Sequence, residues 1–232
     1  MELKICNLSK SYRDNEILDD VNFTFKDNCI YGLVGRNGSG KTTFMNSLDG
    51  DIRINSGEFY LDGEKLDTND IGYIVSTPVV PEFLTGKEFL QFYLEIHNNQ
   101  KEIDFDYYFD LVELKKEDQD KLLKDYSHGM KNKMQLLINI ISNPKILLLD
   151  EPLVSLDVLA QDNIKKLLKK IKKDHIIIFS THILEIAVDI CDEIILLKDK
   201  KFELVEKKNL STKKYKDKIL ESLKEVKEEE DV

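Results

Sequence analysis

Gly35-Arg36-Asn37-Gly38-Ser39-Gly40-Lys41-Thr42 stands between the apolar run Cys29–Val34 and a segment of helical character. It matches the pattern G-x-x-x-x-G-K-[ST]. The glycines let the backbone curl until successive N–H groups point at phosphate oxygens. The helix that follows adds the positive end of its dipole. In such a loop Lys41 is expected to reach the β- and γ-phosphates, and the Thr42 hydroxyl to bind Mg²⁺. Gly35, Asn37, Gly38, Ser39, Gly40, Lys41, Thr42 and Thr43 form the expected nucleotide-binding set, with ATP and Mg²⁺ as the implied ligands.

Further along, Ile146-Leu147-Leu148-Leu149-Asp150-Glu151 reads as a buried strand that delivers two acids at its C-terminal end. Ligands bind at that edge in open α/β sheets. Asp150 is expected to hold Mg²⁺ through water, and Glu151 to position and polarise an attacking water. The phosphate loop and these acids together indicate a P-loop NTPase.

Residues 2–34 alternate apolar and polar positions, and Leu3, Ile5, Val21, Phe23 and Phe25 predict antiparallel strands. Residues 57–75 hold further short strands, with Asp62-Gly63 as a hairpin turn. From Pro78 the pattern turns helical. Thr85-Gly86-Lys87-Glu88 has the form of a capping box. Phe89, Phe92, Tyr93 and Ile96 then fall at i, i+3, i+4 and i+7, which predicts one apolar helix face. Residues 103–125 predict one or two amphipathic helices. Met130, Met134, Leu137, Ile138 and Ile141 predict another that ends before Pro144. Beyond it, Lys145–Leu149, His175–Phe179 and Glu193–Leu197 are continuous apolar runs of the kind found in parallel strands covered on both faces. Ile164, Leu167, Leu168 and Ile171 fit a helix packed on that sheet. Residues 207–232 are highly charged and predict a short helix and a solvated tail.

Composition narrows the function. Hydrophobic residues make up 41% and charged residues 34%, a balance of folded rather than disordered chains. The formal net charge of -10 argues against a broad basic face, so nucleic acid is not an expected partner. Cys6, Cys29 and Cys191 contain no CxxC pair and are expected to be reduced thiols of a cytoplasmic protein. No signal peptide is read at Met1-Glu2-Leu3-Lys4. The apolar runs are far too short to cross a bilayer, so a transport role would need a separate membrane-spanning chain.

Four further stretches, in order, resemble those of ABC-transporter ATPases. Tyr12, in Leu8-Ser9-Lys10-Ser11-Tyr12, resembles the aromatic that stacks on adenine. Tyr126-Ser127-His128-Gly129-Met130 resembles the signature motif, usually LSGGQ, and matches YSxGM variants of exporter-type cassettes. Val154-Ser155-Leu156-Asp157 resembles the D-loop, with serine at the usual glycine position. His182, in Phe179-Ser180-Thr181-His182, resembles the switch histidine that contacts the γ-phosphate. One position departs: Ile71-Gly72-Tyr73-Ile74-Val75 leads to Ser76 where the family's Q-loop places Gln, so Ser76 would reach Mg²⁺ or water only indirectly.

The resemblance covers about residues 2 to 205 and implies a RecA-like core with an antiparallel β subdomain and an inserted α-helical subdomain at about 78–142. The cassette is expected over 1–206, which leaves no room for the C-terminal regulatory domain of many importers. It implies that catalysis falls to Glu151 and His182, and that Ser127 and Gly129 close over ATP held by a second cassette, with Asp157 at the dimer interface. The chain would lie peripherally on the inner face of the cell membrane, powering export through a membrane-spanning subunit. Residues Pro81–Phe92 resemble ABC-2-type exporters, with a drug, peptide, toxin or lipid-linked cargo. The alternative is a soluble ABC ATPase without a transport role, such as an iron–sulfur assembly ATPase.

Overall fold

A computed structural model describes residues 1–97, 104–153 and 158–205. Along the chain, β1 (Glu2–Tyr12), β2 (Asn15–Lys26) and β3 (Cys29–Val34) lead to α1 (Lys41–Asp49). Then come β4 (Ser56–Leu61), β5 (Glu64–Lys65) and β6 (Ile71–Ile74). Helices α2 (Gly86–His97), α3 (Phe105–Leu111) and α4 (His128–Ser142) precede β7 (Ile146–Asp150). The described chain closes with α5 (Val158–Ile171), β8 (Ile176–Thr181), α6 (Leu184–Ile190), β9 (Glu193–Lys198) and β10 (Lys201–Val205).

Two sheets form. One is antiparallel, in the order β2-β1-β4-β5, with Asp62-Gly63 turning β4 back so that Leu61 faces Glu64. The other runs β10-β9-β3-β8-β7-β6 and is parallel except for β10. Strand β6 thus belongs to the parallel core, beside β7, although it follows β4 and β5 in sequence.

The apolar runs are explained by burial on both sides. Along β7, Ile146 and Leu148 pack with Phe44, Met45 and Leu48 of α1 and with Leu3, Ile5 and Phe25 of the antiparallel sheet. Leu147 and Leu149 pack on the opposite side with Leu137 of α4, Leu168 of α5 and Ala187 of α6. Successive strand residues point to opposite faces, so a strand covered twice must be apolar at every position.

Gly57 shows how tightly the antiparallel sheet closes. Pairing of β1 with β4 is irregular between Cys6 and Ser9, where Asn7 has φ 49. Gly57 lies across from it at φ 111, and an added Cβ would sit 2.7 Å from Leu8 Cα and 2.9 Å from the Cys6 and Asn7 carbonyl oxygens. Backbone atoms cannot step aside. Gly57→Ala is expected to lower stability by about 1–3 kcal/mol. The check is a thermal melt, and an unchanged midpoint would show that the sheet relaxes more than this geometry allows.

Between β6 and β7 the chain builds a helical lobe. The capping box at its entrance is formed: Thr85 N–H donates to Glu88 Oε2 at 2.8 Å, and Glu88 N–H donates to Thr85 Oγ1 at 3.1 Å. The face of α2 is not the expected one. Leu90 and Leu94 are fully buried, Phe89 and Tyr93 lie partly buried beside them, and Phe92 and Ile96 are exposed. The helical period is the expected one, and the buried face is rotated by about a quarter turn. In place of a second helix within 103–125, α3 is followed by two 3₁₀ turns at Lys116–Asp118 and Leu123–Asp125. Ser127 caps α4 by accepting from Met130 N–H at 3.3 Å, and left-handed Asn143 ends it before Pro144. Strand β10 was not anticipated, and its Phe202 packs on Phe44 of α1 at 4.8 Å between ring centroids. The charged tail 207–232 lies outside the described residues, as does Asp157 with the rest of 154–157.

Candidate active site

Parallel register gathers the sequence motifs. Val34, the last residue of β3, pairs with Thr181 at the end of β8, and Asp150 at the end of β7 pairs with Ser180. The three strands therefore deliver the phosphate loop, the acidic pair and His182 to one edge of the sheet.

The loop after Val34 passes through left-handed backbone at Gly38 (φ 81) and Gly40 (φ 104) and enters α1 at Lys41. At Gly40 a Cβ would come within 2.6 Å of Ile17 Cγ2, so both backbone angle and space call for glycine. Lys41 is buried, and its ammonium donates to the carbonyl oxygens of Gly35 at 2.9 Å and Arg36 at 3.1 Å. It also stands 3.6 Å from Glu151 Oε1. Burial pulls the Lys41 ammonium below the ordinary lysine range, and the charges of Glu151 and Asp150 offset part of that shift.

Asp150 is buried, with a hydroxyl on each oxygen: Thr42 Oγ1 donates to Oδ2 at 2.8 Å and Ser180 Oγ donates to Oδ1. Glu151 turns off the strand with φ 49. Its Oε1 meets His182 Nδ1 at 3.0 Å. Among the described residues its Oε2 is buried without a hydrogen-bond partner, as is Ser39 Oγ.

Lys41, Thr42, Asp150, Glu151 and His182 thus form one connected cluster. Thr43 follows in the first turn of α1, and Asn37 and Gly38 are exposed at the tip of the loop. Tyr12 ends β1 with its ring half exposed, and Lys10 Nζ stands 4.5 Å from the ring centroid. Just past it, Asn15, Glu16 and Ile17 line a cavity of about 340 Å³ together with Arg36, Asn37 and Ser39. Ser127 and Gly129 take no part in this cluster among the described residues; they sit in the helical lobe, at the head of α4. Ser76 is exposed, two residues past the end of β6.

Sequence reasoning overlooked Ser180 and Thr181. The Thr181 carbonyl accepts from Gly35 N–H at 3.4 Å, at the entrance to the phosphate loop. In sequence Ser180 and Thr181 are only two polar residues after the apolar run Ile176–Phe179; the structure buries both.

A family model described as ABC transporter matches residues 18–154, which span the phosphate loop, the helical lobe and the acidic pair. The chain belongs to the ABC transporter family. The ABC transporter ATP-binding protein YxlF of Bacillus subtilis (strain 168) is 34% identical over 200 residues, covering 85% of this chain and 68% of that protein. The bacitracin transport ATP-binding protein BcrA of Enterococcus faecalis is 32% identical over 214 residues, covering 88% of this chain and 68% of its own. The chain therefore spans about two thirds of these relatives. Among solved structures, an ATP-binding subunit of an ABC transporter superposes with a TM-score of 0.83 at 24% identity, covering 97% of this chain and 100% of that one. The cassette MJ0796, dimeric and bound to ADP and Pi, gives 0.76 at 24% identity, covering 87% and 96%. These likenesses establish the fold of an ABC cassette. As a member of the family the chain is an ATP-binding subunit and an ATPase. No helix among the described residues is long and apolar enough to cross a membrane.

Proposed function

We propose that this ABC cassette hydrolyses ATP as one half of a dimer that powers export through a separate membrane-spanning subunit. The observation that carries the reading is the meeting of Lys41, Asp150, Glu151 and His182 at one sheet edge. In this reading the triphosphate lies against the backbone amides of residues 38–42 and against Lys41 Nζ, with adenine on Tyr12. Water attacks the γ-phosphorus, the bond to the β–γ bridging oxygen breaks, and ADP leaves with the electron pair. Glu151 orients the water and receives its proton, while His182 holds the Glu151 carboxylate. Such catalysis is positioning plus charge stabilisation. Ser39 Oγ and Glu151 Oε2, without a partner among the described residues, are groups that a phosphate oxygen and a water would satisfy.

The Thr42 hydroxyl and the Asp150 carboxylate are adjacent hard oxygen donors, and they fit Mg²⁺. Once bound, Mg²⁺ neutralises charge on the β- and γ-phosphates. Ser76 joins this set only at a remove, through water. Ser127 and Gly129, at the head of α4, serve the ATP of the second cassette, with Asp157 at the interface. The dimeric state of MJ0796 supports that arrangement.

Export is supported by the exporter-like run Pro81–Phe92 and by the bacitracin transport of a relative. Docking of the membrane subunit is supported by the surface of the helical lobe, where Val79, Phe83, Phe92 and Ile96 are 55–80% exposed. Phe92 and Ile96 share one exposed face of α2, and exposed apolar surface of this kind marks an interaction site. Their cover would hold the chain at the inner face of the membrane.

The test is co-purification from detergent-solubilised membranes. The chain is expected to bring down a polytopic membrane protein. Phe83→Glu combined with Phe92→Glu is expected to abolish that recovery without altering ATP affinity. Recovery of soluble iron–sulfur assembly proteins instead would overturn the transport reading.

A further inference from the structure

We infer that Ser180 is a positioning residue of ATP hydrolysis, setting Asp150 and Glu151 relative to each other through a single hydroxyl. The inference rests on the roles proposed above for those two acids.

Ser180 lies on β8 with no exposed surface, in register opposite Asp150. A serine hydroxyl has one proton and two lone pairs. Glu151 N–H can only donate, and it donates to Ser180 Oγ at 3.0 Å. That leaves the hydroxyl proton for Asp150 Oδ1, where the contact is made. One atom therefore binds the side chain of the first acid and the backbone of the second.

The backbone it binds is the unusual one. Glu151 has φ 49, in the left-handed region that non-glycine residues seldom occupy. This turn carries the Glu151 side chain off the strand line and toward Lys41 and His182. Without an acceptor at Ser180 Oγ, the Glu151 N–H would lose the bond that holds the turn. The other oxygen of Asp150 is already engaged by Thr42. The Ser180 hydroxyl thus sets the rotation of the Asp150 carboxylate about its free end.

Neighbours at the end of β8 complete the scheme. The Thr181 carbonyl holds the start of the phosphate loop, and His182, just past the strand, holds Glu151. Three consecutive residues, Ser180-Thr181-His182, fix the metal-side acid, the loop and the water-side acid to the end of one strand. A polar residue fully buried in a sheet carries a desolvation cost, which both hydrogen bonds here offset.

The test uses Ser180→Ala, Ser180→Cys and Ser180→Thr in the intact chain, with kcat and KM for ATP and the affinity for a fluorescent ATP analogue measured with and without Mg²⁺. Ala and Cys remove the strong hydroxyl at similar volume; Thr keeps it. Loss of an outer partner of this kind typically lowers activity by about 10–100-fold. Ser180→Ala and Ser180→Cys are expected to lose kcat on that scale, with KM and Mg²⁺-free analogue affinity within about 3-fold of the parent and a smaller gain in affinity from Mg²⁺. Ser180→Thr is expected to recover most of kcat. Parental kcat in Ser180→Ala or Ser180→Cys would overturn the inference, as would a Thr variant as slow as Ala. Glu151→Gln assayed alongside separates the failures. Its parental turnover would overturn the role of Glu151, whereas a slow Glu151→Gln beside a fast Ser180→Ala would overturn only that of Ser180.

Discussion

Glu151→Gln is expected to slow ATP hydrolysis by about 10²–10⁴-fold while leaving ATP binding intact. The substitution keeps the shape of the side chain, so the turn at φ 49 and the backbone bond to Ser180 survive. It removes the charge and the capacity to take a proton from water. In the native chain Oε1 is shared between Lys41 at 3.6 Å and His182 at 3.0 Å. Oε2 is buried and has no partner among the described residues, as expected of an atom that addresses a water during turnover. Binding is spared because the negative Glu151 contributes no attraction to a polyanion. Phosphate release and fluorescent-nucleotide titration check the two halves separately. Hydrolysis at the parental rate would show that another group orients the water.

Lys41→Ala is expected to weaken both binding and hydrolysis. Lys41 is buried, and its charge is held beside the loop by two carbonyl oxygens and Glu151. A hydrogen bond to a charged group is worth roughly 1.5–3 kcal/mol, which is about 10–150-fold in Kd. Removing one preorganised donor from a transition-state oxyanion typically costs about 10²–10³ in kcat. The variant also leaves Glu151, which is 17% exposed, without its cation. Equilibrium dialysis with ATP and a hydrolysis assay read the two effects. ATP affinity equal to that of the parent would place the triphosphate elsewhere.

The contrast between these residues and others shows what the sequence carries. The phosphate loop is legible because its chemistry needs consecutive residue types. Strands β3, β7, β8 and β9 are legible because double coverage makes them apolar throughout. His182 is legible through resemblance and through its place at the end of the strand that follows Asp150-Glu151; alone it would read as a structural histidine. Helix α2 failed in phase because Phe89, Leu90, Phe92, Tyr93, Leu94 and Ile96 spread apolar character over most of its circumference. Periodicity then fixes the element but cannot choose the buried side; packing against α4 does. Ser180 escaped because its role arises from register between strands about thirty residues apart, a separation no local pattern encodes. Strand β10 escaped because it is only five residues long and its alternation breaks at Leu204-Val205, which leaves too short a pattern to read.

One measurement bears most directly on the whole account: a crystal structure of Glu151→Gln grown with ATP and Mg²⁺. The account predicts the triphosphate nested in the amides after Val34 with Lys41 Nζ on its terminal groups. It also predicts Mg²⁺ beside Thr42 and Asp150. A nucleotide bound away from that loop, or Asp150 and residue 151 turned from the phosphates, would contradict it.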